Sequence, residues 1–262
     1  MVSGFQYGCK VNKKNASLNY IHYLCILKPA KTPDTSNCSN LVYMIGQNQP
    51  DRALIAYIER EIMPCYDHFD AAHKRNHAEE VIARSLALAE HYDVDIDMVY
   101  AIAAYHDTGL CEGRDTHHLA SGRIIREDRR LREWFDGGQI ETMAQAAEDH
   151  RASSGHEPRS IYGKIVAEAD RLITPEKVVR RTIQYTRDHF PEYDKEQQYQ
   201  RFREHLMEKY SDTGYLKLWI PESDNAARLE QLRRIIRDET TLREAFENTF
   251  SNIFAPNASH LA

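Results

Sequence analysis

The chain has 262 residues and a formal net charge of −6, from 34 Lys and Arg against 40 Asp and Glu. Its content of 42% apolar and 28% charged residues excludes a wholly disordered or collagen-like chain, and the length allows one substantial core. No apolar run is long enough for a membrane-spanning helix. The mild acidity argues against a nucleic-acid binder, which usually presents a basic face. The composition therefore predicts small-molecule partners, with no nucleic acid and no membrane.

The cysteines are few and scattered along the chain. There are five of them, and none has the CxxC spacing of a metal or redox motif. An odd, irregular set does not resemble a disulfide framework, so a reducing compartment and a cytoplasmic location are predicted. The sequence leaves the oligomeric state open, with a homodimer among the options.

The first 43 residues differ from the rest of the chain. Residues 1–43 hold five Lys, no Arg and the single acid Asp34, whereas residues 44–262 are acidic. A stretch rich in Pro, Ser, Thr and Asn follows a short apolar run that lacks a small-residue cleavage site. We predict that residues 44–262 form the folded domain. Two explanations of the first segment stay open: a poorly ordered extension, or a wrongly assigned start with Met44 as the true beginning.

From residue 51 onward, apolar residues recur every three or four positions, and no strand alternation is present. This pattern predicts an all-α, single-domain fold of nine or ten helices. The run 97–106 is apolar on every side and is predicted to be the buried central helix, ended by Gly109. The charged region 175–250 is predicted to form an outer helical layer. The predicted helices are 53–63, 78–91, 97–106, 117–128, 139–150, 160–172, 175–188, 194–210, 224–237 and 239–250.

Histidines are concentrated between His68 and His156, which hold nine of the thirteen. His73 and His77 are four residues apart at the start of a predicted helix, and this spacing places both rings on one face.

Two carboxylates fall at apolar positions near these histidines. His106 and Asp107 end the central helix, and Asp170 lies near the apolar side of another. A buried carboxylate needs a partner, and a metal ion would provide one. The mixed imidazole and carboxylate set suits Mn, Fe, Co, Ni or Zn, and Mg is also retained as a candidate.

The ordered set of His77, His106-Asp107 and Asp170 resembles the H…HD…D signature of the HD-domain metal-dependent phosphohydrolases. The strings AYHDTGL, GRDTHHLASGRII, EDHRASS and EPRSIYGKIVAEADR are similar to a group of small bacterial HD hydrolases. The resemblance covers about residues 66–220. It implies an HD-type helical bundle with extra C-terminal helices, in which these four residues bind a divalent metal ion.

The resemblance also implies that the site could hold two metal ions. His117 and His150 lie where dinuclear members of the superfamily place further ligands. His117 fits the H-x-x-x-[SG] spacing through Ser121, and the neighbouring His118 is the competing choice. One or two metals per chain are therefore expected, with Asp107 as the bridging ligand in the second case.

The implied activity is hydrolysis of a phosphomonoester or phosphodiester by a metal-activated water, with nucleotides among the candidate substrates. Cationic donors should bind the phosphate, and Arg offers a bidentate fork for it. The basic residues nearest to the implied ligands are Arg114, Arg151, Arg171 and Lys164. Of these, Arg114 and Arg151 are the preferred catalytic candidates, together with Asp107.

His73 has a separate implied role. The stretch AHKRNHA is similar to the HN-x-x-HA stretch of cyclic-nucleotide phosphodiesterases, in which the first histidine is the general acid. By this likeness His73 is a candidate proton donor to the leaving oxygen. Leu110 stands where many cyclic-dinucleotide phosphodiesterases have Lys, and no GYP follows His150, so that substrate is not predicted.

Two other functions remain open. Some proteins with similar HD-type ligands use a di-iron centre as an oxygenase, which would require both His117 and His150 as ligands. A non-catalytic metal-binding or nucleotide-binding regulatory module is the third reading. The complete ligand set disfavours that reading, because a protein that only binds could lose ligands freely.

Overall fold

The computed structural model describes residues 49–70 and 73–254. The predictions for residues 1–43 lie outside this range, and the domain boundary at residue 44 stays a prediction. The described part contains ten α-helices, three short 3-10 segments and no β-strand, which confirms the all-α fold. None of its helices is long and apolar enough to cross a membrane. The helices are α1 (Arg52–Glu61), α2 (Arg75–Ala89), α3 (Ile96–Tyr105), α4 (His117–Glu127), α5 (Gly137–Glu148), α6 (Ile161–Asp170), α7 (Pro175–His189), α8 (Lys195–Tyr210), α9 (Asn225–Arg237) and α10 (Glu239–Phe254).

Acidic side chains set the beginnings of several helices. The Asp51 carboxylate accepts hydrogen bonds from the first free backbone N–H groups of α1, and Asp95 does the same for α3. Asp136 and Gln139 form a reciprocal capping box at α5. These caps satisfy donors that have no partner within the helix, so helix starts are encoded locally.

Helices α1 to α6 enclose a first hydrophobic core, with α3 at its centre. Every residue of α3 from Met98 to Tyr105 is buried, as the sequence predicted for this helix. A helix buried on all sides can place a polar group at its end inside the protein, where neighbouring helices converge on it.

The prediction of an outer layer for residues 175–250 is wrong. Helices α7 to α10 enclose a second hydrophobic core of their own, in which Phe202, Leu206 and Phe246 are fully buried. The high charge of this region misled the prediction, because the charged residues lie on the outer faces of helices whose inner faces are apolar.

One buried carboxylate connects the two cores. Glu168 in α6 is fully buried and accepts hydrogen bonds from the Trp219 backbone N–H (2.7 Å), the Ser223 hydroxyl (2.6 Å) and the Asn225 side-chain amide (2.8 Å). Trp219 and Ser223 belong to the segment that joins α8 to α9, Asn225 begins α9, and Ile220 of the joining segment packs into the first core. The connection fixes the second helical group beside the end of α3.

Gly109 has a different role from the predicted helix stop. Helix α3 ends at Tyr105, and Gly109 lies in the following 3-10 segment without a positive φ angle. A Cβ atom at this position would overlap the His117 carbonyl and the Ser121 backbone nitrogen of α4. Glycine is therefore required for the close approach of α4, which brings His117 to the end of α3.

Candidate metal centre

The HD pair lies where α3 ends inside the protein. His106 is the C-cap residue of α3, and Asp107 follows it; both are buried. The Asp107 backbone N–H donates to the Tyr66 hydroxyl (3.4 Å), which itself donates to the Ala104 carbonyl (2.9 Å). Tyr66 is fully buried, so the segment that carries the HD pair is held by a rigid side chain.

Four other elements bring side chains to this point. His77 comes from the first turn of α2, and Asp170 is the last residue of α6. His117 is the first residue of α4, and His150 follows the end of α5. The fold thus gathers all six residues that the sequence identified as metal-ligand candidates.

The two oxygens of Asp107 face two different ligand sets. Its Oδ2 lies 3.2 Å from His106 Nε2 and 3.6 Å from His77 Nε2, and Asp170 Oδ1 lies 3.2 Å from the same His77 nitrogen. Its Oδ1 lies 3.3 Å from His150 Nε2 and 3.4 Å from His117 Nε2. A carboxylate between two imidazole sets has the arrangement of a bridging metal ligand.

Backbone carbonyls orient three of these imidazoles. The Nδ1 atoms of His106, His117 and His150 lie 2.6–2.7 Å from the carbonyl oxygens of the residues three positions earlier. An Nδ1–H that donates to a carbonyl leaves Nε2 with a free lone pair, and metal-binding histidines are usually held in this way. All three Nε2 atoms are those that face Asp107.

Unsatisfied buried nitrogens support the fit to a metal ion. Both ring nitrogens of His77 and the Nε2 of His106 are buried without a well-directed hydrogen bond. Buried polar atoms are almost always hydrogen-bonded, so exceptions that converge on one point indicate a missing ligand. The donor atoms of His77, His106 and Asp107 lie within 4.8 Å of one another, as do those of Asp107, His117 and His150. This donor set of imidazoles and carboxylates suits a first-row divalent metal.

The electrostatics of the cluster favour the protonation states that bind metal for three side chains: ionised Asp107, ionised Asp170 and neutral His117. Burial raises the pKa of Asp107, but His106, His150 and His77 outweigh it and hold this pKa well below its usual range. Burial also raises the pKa of Asp170, but His77 stabilises the carboxylate and holds this pKa well below its usual range. Burial and the neighbouring His150 lower the pKa of His117 to about 4, so its imidazole is neutral near pH 7.

His77 behaves in the opposite way in the metal-free protein. Burial alone would lower its pKa, but Asp107 and Asp170 outweigh burial and raise it to about 10. A protonated His77 offsets the two carboxylates when no metal is present. Metal binding at this nitrogen must therefore release a proton, as is usual for histidine ligands.

Two histidines whose roles were uncertain are clearly placed. His118 is not part of the cluster; its ring centroid lies 5.6 Å from that of His117, which is the one of the two that faces Asp107. The sequence predicted His73 at the start of a helix. In the structure His73 precedes α2, which begins at Arg75. Its ring nevertheless lies 5.9 Å from the His77 ring, and its Nδ1 lies 2.8 Å from Asp70 Oδ1.

A cavity of about 450 Å³ opens from the cluster and extends between the two helical groups. His73, Arg114, Arg151 and Arg171 all line it. Lys164 does not line it and forms an ion pair with Glu157 elsewhere on the surface.

The sequence analysis did not identify which residues of α7 and α8 line this cavity. Arg181 of α7 and Arg201, His205 and Lys209 of α8 also line it. A signal was available, since the last three recur every four residues and so share one helix face. What the sequence could not show is that this face lies opposite the end of α3.

The architecture and the cluster together define an all-helical protein with a buried centre suited to divalent metal ions. Residues 75–174 match the family model described as HD domain. The match covers 100 of the 262 residues and is consistent with a member of the HD-domain superfamily. HD domains are of metal-dependent phosphohydrolase type and bind divalent metals. No curated protein and no solved structure matches the chain.

Proposed function

We propose that this protein is a metal-dependent phosphohydrolase that cleaves a phosphomonoester or phosphodiester, with two divalent metal ions at the cluster. The observation that carries the proposal is the position of Asp107, whose two oxygens face two separate histidine sets. A protein with one structural metal has no need for a second converging set. Two ions that share a carboxylate are the usual means of holding a phosphate for in-line displacement.

His77, His106 and Asp170 would hold one ion together with Asp107, and His117 and His150 would hold the other. When bound, divalent ions supply Lewis acidity, which offsets phosphate charge and makes water more acidic. The protein contributes a buried site in which helices α2 to α6 already fix the positions of the ligands. This preorganisation avoids rearrangement during the reaction.

Cationic side chains beside the cluster are assigned to the phosphate. Arg151 is anchored to the Asp115 carbonyl and Arg171 to the Ala167 carbonyl, and neither forms an ion pair with a carboxylate among the described residues. Each keeps guanidinium donors for phosphoryl oxygens, to which Arg binds in a bidentate manner. Arg114 lies at the rim, where it pairs with Asp70 at 3.2 Å.

His73 is assigned to protonation of the leaving oxygen. The contact between His73 Nδ1 and Asp70 Oδ1 orients the ring, which lines the cavity. A histidine held by a carboxylate at the edge of a phosphate site is a suitable general acid. His73 therefore acts on the leaving group, whereas the cluster acts on the phosphate itself.

The test is phosphate release from a broad panel of phosphomonoesters and phosphodiesters, nucleotides included, by protein reconstituted with each candidate metal. We expect turnover with at least one metal for the wild type. The variant Asp107→Asn should lose on the order of a thousand-fold or more, because the metal ions contribute several kcal/mol to the barrier. The exposed variant Asp93→Asn is the matched control and should retain full activity.

Three results would contradict the proposal. Equal activity of Asp107→Asn and Asp93→Asn would show that the cluster is not the catalytic site. Metal-dependent oxygen consumption without phosphate release would favour the di-iron oxygenase. Tight metal binding without turnover on any member of the panel would favour a regulatory module.

A further inference from the structure

The cavity wall carries more positive charge than one phosphate requires. The carboxylates that line it, among the described residues, are Asp107 and Asp170 of the metal cluster. Its basic side chains are six in number: Arg114, Arg151, Arg171, Arg181, Arg201 and Lys209. Like charges enclosed in one concave site repel each other and focus a strong positive potential, so a cavity of this kind is suited to an anionic ligand.

The excess lies on α7 and α8, away from the HD domain. Arg201, His205 and Lys209 are spaced by four residues and form one stripe along α8, and Arg181 of α7 lines the same cavity. The match to the HD family ends at residue 174, before both helices begin. This basic stripe therefore lies outside the region that matches the HD family model.

The cations of the stripe lack carboxylate partners, whereas two arginines outside the stripe have them. Arg203 of α8 pairs with Glu239 at 3.0 Å, and Arg243 of α10 pairs with Glu196 at 2.7 Å. Neither Arg201 nor Lys209 forms an ion pair with a carboxylate in the described part of the chain. The Nε of Arg201 is buried without any hydrogen-bond partner, and its guanidinium lies 5.0 Å from the Phe190 ring centroid.

Arg201 and Lys209 both exert their positive charge on His205, which lies between them on α8. Burial comes first in lowering the pKa of His205 to about 4, and the positive charges of Lys209 and Arg201 add to this effect. Its ring also lies 6.3 Å from that of Tyr210, which lines the cavity. An anion placed among these groups would find two fixed cations and aromatic walls.

We propose that Arg201 and Lys209, with Arg181 at the edge, form a second anion-binding subsite, so that the substrate is a phosphate ester carrying a further phosphate or carboxylate group. The identification of this ligand as a substrate rests on the proposed phosphohydrolase activity. The subsite itself rests on the unpaired cations alone. The scissile phosphate is bound at the metal cluster with Arg151 and Arg171, and the second anion is bound by α7 and α8.

The experiment compares two kinds of ligand on the metal-loaded, full-length protein by calorimetry. Hexyl phosphate carries one phosphate, and the bisphosphates of ethanediol, butanediol and hexanediol carry a second one at increasing distances. The wild type is expected to bind the best bisphosphate at least about tenfold more tightly than hexyl phosphate, because charge-assisted hydrogen bonds are stronger than neutral ones and gain further strength in a buried site. Sulfate is titrated in parallel as a small dianion that can occupy both the subsite and the position beside Arg151 and Arg171.

Two variants remove the charge of the stripe, and a third serves as the control. The double variant Arg201→Gln with Lys209→Met should bind bisphosphates and hexyl phosphate with equal affinity and should bind one sulfate fewer than the wild type. Arg181→Gln should reduce the bisphosphate preference by a smaller factor. Arg180→Gln removes the neighbouring arginine, which does not line the cavity, and should leave every affinity unchanged.

The proposed subsite and the proposed activity can fail separately. If the wild type shows no preference for any bisphosphate, or if the double variant retains both the preference and the sulfate stoichiometry of the wild type, the subsite is wrong even when hydrolysis occurs. If the preference depends on Arg201 and Lys209 but no ester is hydrolysed, the subsite is supported and the phosphohydrolase proposal is overturned. Where turnover is seen, the double variant should raise KM for the bisphosphate and leave kcat unchanged.

Discussion

The two helical groups of this protein carry opposite kinds of polar side chain towards one cavity. The first group, α1 to α6, buries histidines and aspartates at the end of its central helix, where they contact each other. The second group, α7 to α10, presents arginine and lysine that have no carboxylate partner in the described chain. The first arrangement is suited to holding a metal and the second to holding an anion. The comparison indicates a division between chemistry and recognition.

The largest effect on stability is expected from a substitution in the second core that should leave the metal cluster of the first group intact. Phe202 is fully buried in the second core, so Phe202→Ala should reduce the free energy of unfolding by about 3–5 kcal/mol. The change should weaken binding of bisphosphates and leave the metal content unaltered. Chemical denaturation and elemental analysis measure the two effects. Met207→Ala is the control on the same helix, because Met207 is 39% exposed and should change stability by less than about 0.5 kcal/mol.

Loss of metal from the folded Phe202→Ala protein would contradict this separation. It would show that the second core supports the cluster directly. The two hydrophobic cores would then not correspond to two separate functions.

A second prediction tests the chemistry assigned to the first group. His73→Gln should reduce kcat for alkyl phosphates by about a hundredfold, because an alkoxide leaving group needs a proton. The reduction should be much smaller for 4-nitrophenyl phosphate, whose leaving group departs without protonation. Steady-state kinetics on both esters measures the difference, with His91→Gln as an exposed control. An equal loss on both esters would exclude His73 as the general acid.

The connection between the groups gives a third prediction. Glu168→Gln replaces an oxygen that accepts hydrogen bonds from the Trp219–Asn225 segment with a donor, so we expect a loss of about 1–3 kcal/mol of stability. Thermal and urea unfolding measure it, with the exposed Glu90→Gln as control. The anion preference should fall as well, since the segment fixes α8 beside the cluster. A stable variant with an unchanged preference would show that the connection is dispensable.

The smallest effect is a pH dependence that originates in the second group. The pKa of His205 is about 4 in the folded protein because of burial and the nearby Lys209 and Arg201, below the value of about 6.5 in an unfolded chain. The unfolded state therefore takes up this proton first, and stability is lost as the pH falls from about 6.5 to about 4. His205→Gln should lose less stability than the wild type between about pH 7 and about pH 5. Urea unfolding at both pH values measures this, and identical losses would contradict it.

Local signals explain what the sequence predicted well. Helix periodicity and side-chain caps such as Asp136 depend on neighbours in the chain, so the helices and the all-α fold followed from the sequence. The ligand candidates were identified by their order and by the resemblance to the HD family, and the structure brings His77, His117 and His150 to Asp107.

The properties that the sequence did not reveal are long-range. The second core depends on how α7 to α10 pack against each other. The many charged residues on the outer faces of these helices made the apolar inner faces hard to recognise in the sequence. The spacing of Arg201, His205 and Lys209 places them on one face of α8, but it does not show that this face lines the cavity. The role of Gly109 also depends on contact with α4, a separate element, and not on its own helix.

The metal content per chain tests the central claim most directly. Elemental analysis should compare the wild type with His77→Ala, His150→Ala and Asp107→Ala, all purified without chelators and reconstituted in the same way. If Asp107 is shared by two sites, the wild type should hold two ions, each histidine variant should lose one, and Asp107→Ala should hold none. An Asp107→Ala protein that folds and retains the metal content of the wild type would contradict the account.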